Sequence, residues 1–227
     1  LALTAGAGPG SHGGMNRPGL TLLALALVAI PSTLRGQDRG EPPLAHLRAE
    51  HPRLIAAAHD DARVQALIAE HPLAREYWDQ IHAAAVDLLD AATVEFEIVG
   101  PRLLTQSRRC LDRMYVLGTA YRLTGEQRFV DRAVTELAAA AAFPHWNPSH
   151  FLDTAELCHA FGIGYDWFHA ALTPEQRQMV RGALVEKGLV PGRKSYEGTE
   201  RYGGWIRARH NWNQVCVGGV SIGALAI

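Results

Sequence analysis

The chain has 227 residues, 48% of them hydrophobic, and its 22 basic and 23 acidic side chains leave a net charge of −1. That hydrophobic share supplies a full core and excludes an intrinsically disordered chain. Balanced charge provides no global field toward nucleic acid or an anionic membrane, so an acidic ligand must be held by a local cluster.

Met15-Asn16-Arg17 opens a basic segment, residues 20–30 are an apolar run of signal-peptide length, and Pro31-Ser32-Thr33 turns polar. We therefore expect residues 1–14 to precede the true start, 15–37 to be a secretory signal, and 38–227 to be a helical domain. The apolar run is too short to span a bilayer as a mature helix. The expectation is a periplasmic or secreted protein with no membrane attachment after cleavage. Export would permit disulfides, but Cys110, Cys158 and Cys216 are odd in number and widely spaced, and they read as small buried residues. No zinc pattern occurs, and neither a metal nor a cofactor is expected.

Beyond Pro42-Pro43 the pattern is helical almost throughout, which predicts an all-α fold. Helices are predicted over 60–70 and 73–91. Residues 93–99 are the one stretch of strand character, ended by Gly100-Pro101. A strong helix over 103–123 stops at Thr124-Gly125 and returns over 126–142 as the partner in a tight αα-hairpin. A second pair covers 151–170 and 173–188, with Thr173 as N-cap and Pro174 in the first turn. Residues 191–204 read as a polar loop, and an apolar helix opens near Val215 and runs to Ile227. Its apolar end suggests that the natural chain continues. Serial hairpins of unequal length favour an incomplete (α/α) toroid over a strict repeat solenoid.

Three segments carry more polar and aromatic residues than packing requires. In 143–156, His145, Trp146, Asn147 and His150 precede a helix start, where Asp153 or Ser149 could serve as a cap. In Gly164-Tyr165-Asp166-Trp167, Asp166 could act as acid or base, or bond a neighbouring backbone. The third, Arg207 to Gln214, gathers two arginines, a histidine and two asparagines before a helix whose first amides favour anions. Asn211 with Gln214 also fits a capping-box variant.

The order of Leu-Thr-Gly (123–125), Phe-Pro-His-Trp-Asn-Pro (143–148), Phe-Leu-Asp-Thr-Ala-Glu (151–156), Gly-Tyr-Asp-Trp (164–167) and His-Asn-Trp-Asn-Gln-Val-Cys (210–216) resembles the amino-terminal helical domain of heparinase II/III-like proteins. The resemblance implies a secreted polysaccharide lyase whose toroid packs on a carboxyl-terminal β-sandwich region. The implied partner is an acidic polysaccharide, glycosaminoglycan- or alginate-like, cleaved by β-elimination. That chemistry removes a proton next to a carboxylate, so the carboxylate charge must be neutralised and the developing anion stabilised. Asn211, His210 and Asn213 fall at the implied catalytic positions, although many relatives have an Asn-His order where this chain has His210-Asn211 and then Trp212. Arg207, Arg209, Trp212, Tyr202, Trp146 and His145 are the implied substrate contacts, and the implied catalytic Tyr is expected beyond Ile227. Two other functions fit the same toroid: glycoside hydrolysis using Asp153 and Asp166 as a carboxylate pair, and glycan binding or scaffolding without catalysis.

Overall fold

The computed structural model describes residues 44–227. The expectations for an upstream start at 1–14 and a signal peptide at 15–37 lie outside the described residues.

Every named element among the described residues is helical, as the periodicity requires. Helix α1 (Asp60–Glu70) and α2 (Pro72–Asp87) form a first pair, and a short 3-10 turn extends α2 to Asp90. Helix α3 (Leu104–Thr124) ends at Gly125, whose left-handed backbone (φ 75°) lets its N–H reach the Tyr121 carbonyl and turns the chain into α4 (Gln127–Ala141). Helix α5 (Phe151–Trp167) is followed by α6 (Pro174–Ala183), which starts with a complete capping box: Thr173 accepts from the Gln176 amide and Gln176 reaches back to the Thr173 amide.

Two predicted segments are corrected. Residues 93–99 form no strand, since no neighbouring chain offers a ladder. Only an isolated bridge joins Val99 to Arg102, while side chains take the free amides, Glu136 from Val94 and Gln106 from Glu95. The predicted loop at 191–204 is largely helical. From α6 the chain winds through a π-helical stretch (Leu184–Leu189) into α7 (Val190–Glu197). The wider turn ahead of Pro191 relieves the clash its ring would make with a regular helix, so the proline does not end the run. A 3-10 turn (Gly203–Arg207) then leads into α8 (Asn211–Ala226), which starts four residues before Val215.

Helices α3, α5 and α8 run parallel and adjacent. At their amino ends the Leu103 amide meets Asp153 and His150 meets Trp212; further along, Tyr115 meets His159, and a side chain at Gly223 would meet the Cys158 backbone. Helix α4 and the α6–α7 run return between them. Helix α5 lies at the centre, apolar on every side, and Glu156, His159 and Tyr165 are its only residues that are not buried. It reaches α8 across small residues: a Cβ placed on Gly219 would lie 2.2 Å from the Ala155 carbonyl oxygen. Among the described residues no helix is long and apolar enough to cross a membrane.

Gly219→Ala should therefore force α5 and α8 apart and cost about 1–3 kcal/mol, measured by urea unfolding. Gly218→Ala, with open space around the new methyl group, should be neutral or stabilising by up to about 1 kcal/mol.

Candidate functional site

Because α3, α5 and α8 are parallel, their amino ends collect at one end of the fold, and so do the polar residues that precede them. The hub is Asp153, fully buried one turn into α5. It accepts from the Leu103 amide (2.7 Å), from Asn147 Nδ2 (2.6 Å) and from His150 Nδ1 (2.8 Å). The expected cap role is thus corrected: neither Asp153 nor Ser149 caps α5, and the carboxylate instead ties three segments together. Asn147 adopts a left-handed backbone (φ 53°), tolerable for asparagine, which aims its amide at Asp153 and at the Pro101 carbonyl. Ser149 donates to Asn147 Oδ1.

Against this hub stands the start of α8. Trp212 meets the His150 ring edge-on, with centroids 4.8 Å apart, and His210 lies 6.4 Å from the same indole. His210 is the N-cap of α8, its Nδ1 accepting from the Trp212 amide at 3.4 Å, so the capping box expected of Asn211 and Gln214 does not form. Asn213 uses its side-chain N–H groups on the Trp205 and Ile206 carbonyls, pinning the 3-10 turn to the helix. Asn211, Arg207 and Arg209 are exposed, and no described carboxylate pairs with either arginine. Arg207 lines a groove with Tyr196, Glu200 and Arg201, whereas Tyr202 is occupied by Arg201, which covers its ring and bonds its hydroxyl.

Two predicted substrate contacts lie elsewhere. Trp146 is fully buried, its Nε1 bonded to the Ala140 carbonyl and its ring packed on Phe161, so it is a core residue and cannot touch a glycan. His145 is exposed but faces Phe96 and accepts the Asn147 amide.

A groove of about 890 Å³ runs between α2 and α3 and was not anticipated from sequence. Arg102, Arg108, Arg109 and Arg113 line it together with Asp87 and Asp112. Leu104 joins its wall to the apolar cluster that contains Trp212. Arg102 precedes α3 by two residues and Arg108, Arg109 and Arg113 follow on the helix, a set visible in the sequence once that side of α3 is known to be open.

Asp166, at the far end of α5, is also fully buried. It accepts from the Arg53 and Leu54 amides and from His51 Nδ1 at 2.6 Å, fastening residues 51–54 across the helix ends. It lies thirteen residues from Asp153 on one helix, roughly 20 Å at 1.5 Å per residue. A glycosidase pair needs its carboxyl groups within about 10 Å, so Asp153 and Asp166 cannot flank one bond.

Tyr115 and His159 share a 2.7 Å hydrogen bond between α3 and α5. Burial lowers the His159 pKa and raises that of Tyr115, which keeps both groups neutral near pH 7. The pair lies nine residues along α5 from His150, roughly 13 Å away, and is separate from the cluster at the start of α8. The three cysteines are free; burial raises all three thiols, Cys216 to about 12, so none is a ready nucleophile.

No family model matches the chain, and neither does any curated protein.

Removing Asp166 by Asp166→Ala strands the Arg53 and Leu54 amides and should cost about 2–4 kcal/mol in chemical denaturation. His159 sets a pH dependence. Its folded pKa is depressed below the ordinary 6.5, so the unfolded chain binds more protons over that interval, and stability is lost as pH falls from 6.5 through the lowered value. His159→Gln should flatten that part of the stability–pH curve.

Proposed function

We propose that this chain is the helical part of a secreted lyase that cleaves uronate-containing polysaccharides by β-elimination on an (α/α) toroid. The observation that carries the reading is the convergence at one end of the fold of three parallel helix amino ends, two imidazoles on one indole, and the unpaired Arg207 and Arg209. Parallel helices joined by returning partners are what a toroid of hairpins requires. Aligned amino ends favour an anion, and guanidinium groups bind carboxylates or sulfates in a two-pronged fork. The arginine-lined groove along α3 offers a path for neighbouring saccharides. The Asn211 side chain is free to neutralise a uronate carboxylate, whereas the Trp212 and Asn213 backbone amides are taken by His210 and the Asn213 side chain is engaged by the Trp205 and Ile206 carbonyls.

That engagement also favours the second reading, glycan binding without turnover. The hydrolase reading loses its carboxylate pair to the separation along α5.

Incubation with a glycosaminoglycan and with alginate tests the assignment. Elimination creates a conjugated double bond and raises ultraviolet absorbance; new reducing ends without absorbance would mean hydrolysis, and binding alone would mean a non-catalytic protein. Replacing both Arg207 and Arg209 by alanine should weaken binding of a uronate oligosaccharide about tenfold or more, read by calorimetry.

A further inference from the structure

Elimination needs a base at the carbon next to the uronate carboxylate. Two described imidazoles have Nδ1 on a buried carboxylate and no hydrogen bond to Nε2, His51 on Asp166 and His150 on Asp153, and of the two only His150 lies among the helix amino ends. Three donors converge on Asp153, so its carboxylate acts only as an acceptor. The His150 proton therefore resides on Nδ1, and Nε2 presents a lone pair. No described residue hydrogen-bonds Nε2, and the His150 side chain is 10% exposed while Asp153 is fully enclosed. A carboxylate that fixes the tautomer and orientation of an imidazole whose other nitrogen is open is the arrangement that makes histidine a general base. His150 is held at a point where it cannot swing away: its ring meets Trp212 edge-on, and its amide bonds the Asn147 carbonyl.

We propose that His150, in the role the family resemblance gives to a Tyr, is the proton-transfer residue of this site, with Asp153 as its positioning residue and a uronic-acid saccharide at the start of α8 as its substrate. The assignment rests on the lyase reading above. In the step it performs, Nε2 takes the proton from C5 of the uronate. The C5–H electron pair becomes the C4–C5 double bond, and the C4–O bond breaks with its pair leaving on oxygen. The imidazolium then returns the same proton to that oxygen, so the step needs no further reactant. Asn211 holds the carboxylate through which the developing charge spreads, at the amino end of α8 where the helix dipole favours an anion.

The test combines a variant with a chemical probe of the unaltered chain. His150→Asn keeps a donor where Nδ1 bonds Asp153 and removes Nε2, and circular dichroism checks that it folds. On a uronate polymer it should lower kcat about 100-fold or more with KM changed less than about threefold. In the unaltered chain diethyl pyrocarbonate should acylate His150, located by mass spectrometry, and a uronate oligosaccharide should protect it. Protection decides the matter even where turnover is absent. If the oligosaccharide binds but leaves His150 fully reactive, or His150→Asn turns over at the unaltered rate, the assignment is overturned and the lyase reading stands. If no uronate saccharide binds or is eliminated, the lyase reading itself fails and the role of His150 falls with it.

Discussion

A buried carboxylate near each end of α5 holds the fold in register. Asp153 collects the approach to α3 and the turn before α5, and Asp166 collects residues 51–54 and fastens them over the carboxyl ends of the helices. Each carboxylate is fully enclosed and would be costly without donors, so the segments that supply backbone N–H groups are committed to those positions. Between them α5 can be apolar on almost every face and lie at the centre.

The second constraint is how closely α8 approaches. Glycines at 219 and 223 let its backbone rest on that of α5, and the contact aligns the two helices in parallel. Parallel alignment has an electrostatic result: amino ends that would otherwise alternate are gathered at one end of the fold, where His150, His210, Arg207 and Arg209 also lie. A site assembled from a turn, a helix start and a buried carboxylate is stiff, since its members are bonded to backbone that the core already holds. The Tyr115–His159 pair, half-buried between α3 and α5, sits well down the helix, and its chemistry is separate from that of the amino ends.

Much of the architecture was legible in the chain. Period, glycine stops and caps fixed α1, α3 and α4 nearly to the residue and the start of α6, because each signal acts locally: Gly125 supplies a left-handed backbone and Thr173 with Gln176 closes a box within one turn. Residues 93–99 misled, since alternation predicts a strand only where a second strand exists to pair with. Residues 191–204 misled for the opposite reason: proline and glycine signal a break, but the π-helical stretch ahead of Pro191 absorbs the proline and the helix continues. The candidate site was legible as a region and less so as roles. Trp146 and Asn213 looked available and are engaged by backbone carbonyls, while His150, read only as one of the polar residues ahead of a helix start, has an Nε2 that no described residue bonds.

The sequence by itself determined the helical class, most helix boundaries and the concentration of histidine, arginine and amide residues ahead of two helices, because propensity, capping and periodicity are properties of neighbouring residues. Only the tertiary structure decided that these helices run parallel, which carboxylates are enclosed, and which side of each imidazole is free. Those outcomes depend on contacts between residues some fifty or more positions apart, such as Leu103 with Asp153 and His150 with Trp212, and no local pattern encodes which distant donor a buried acceptor will take.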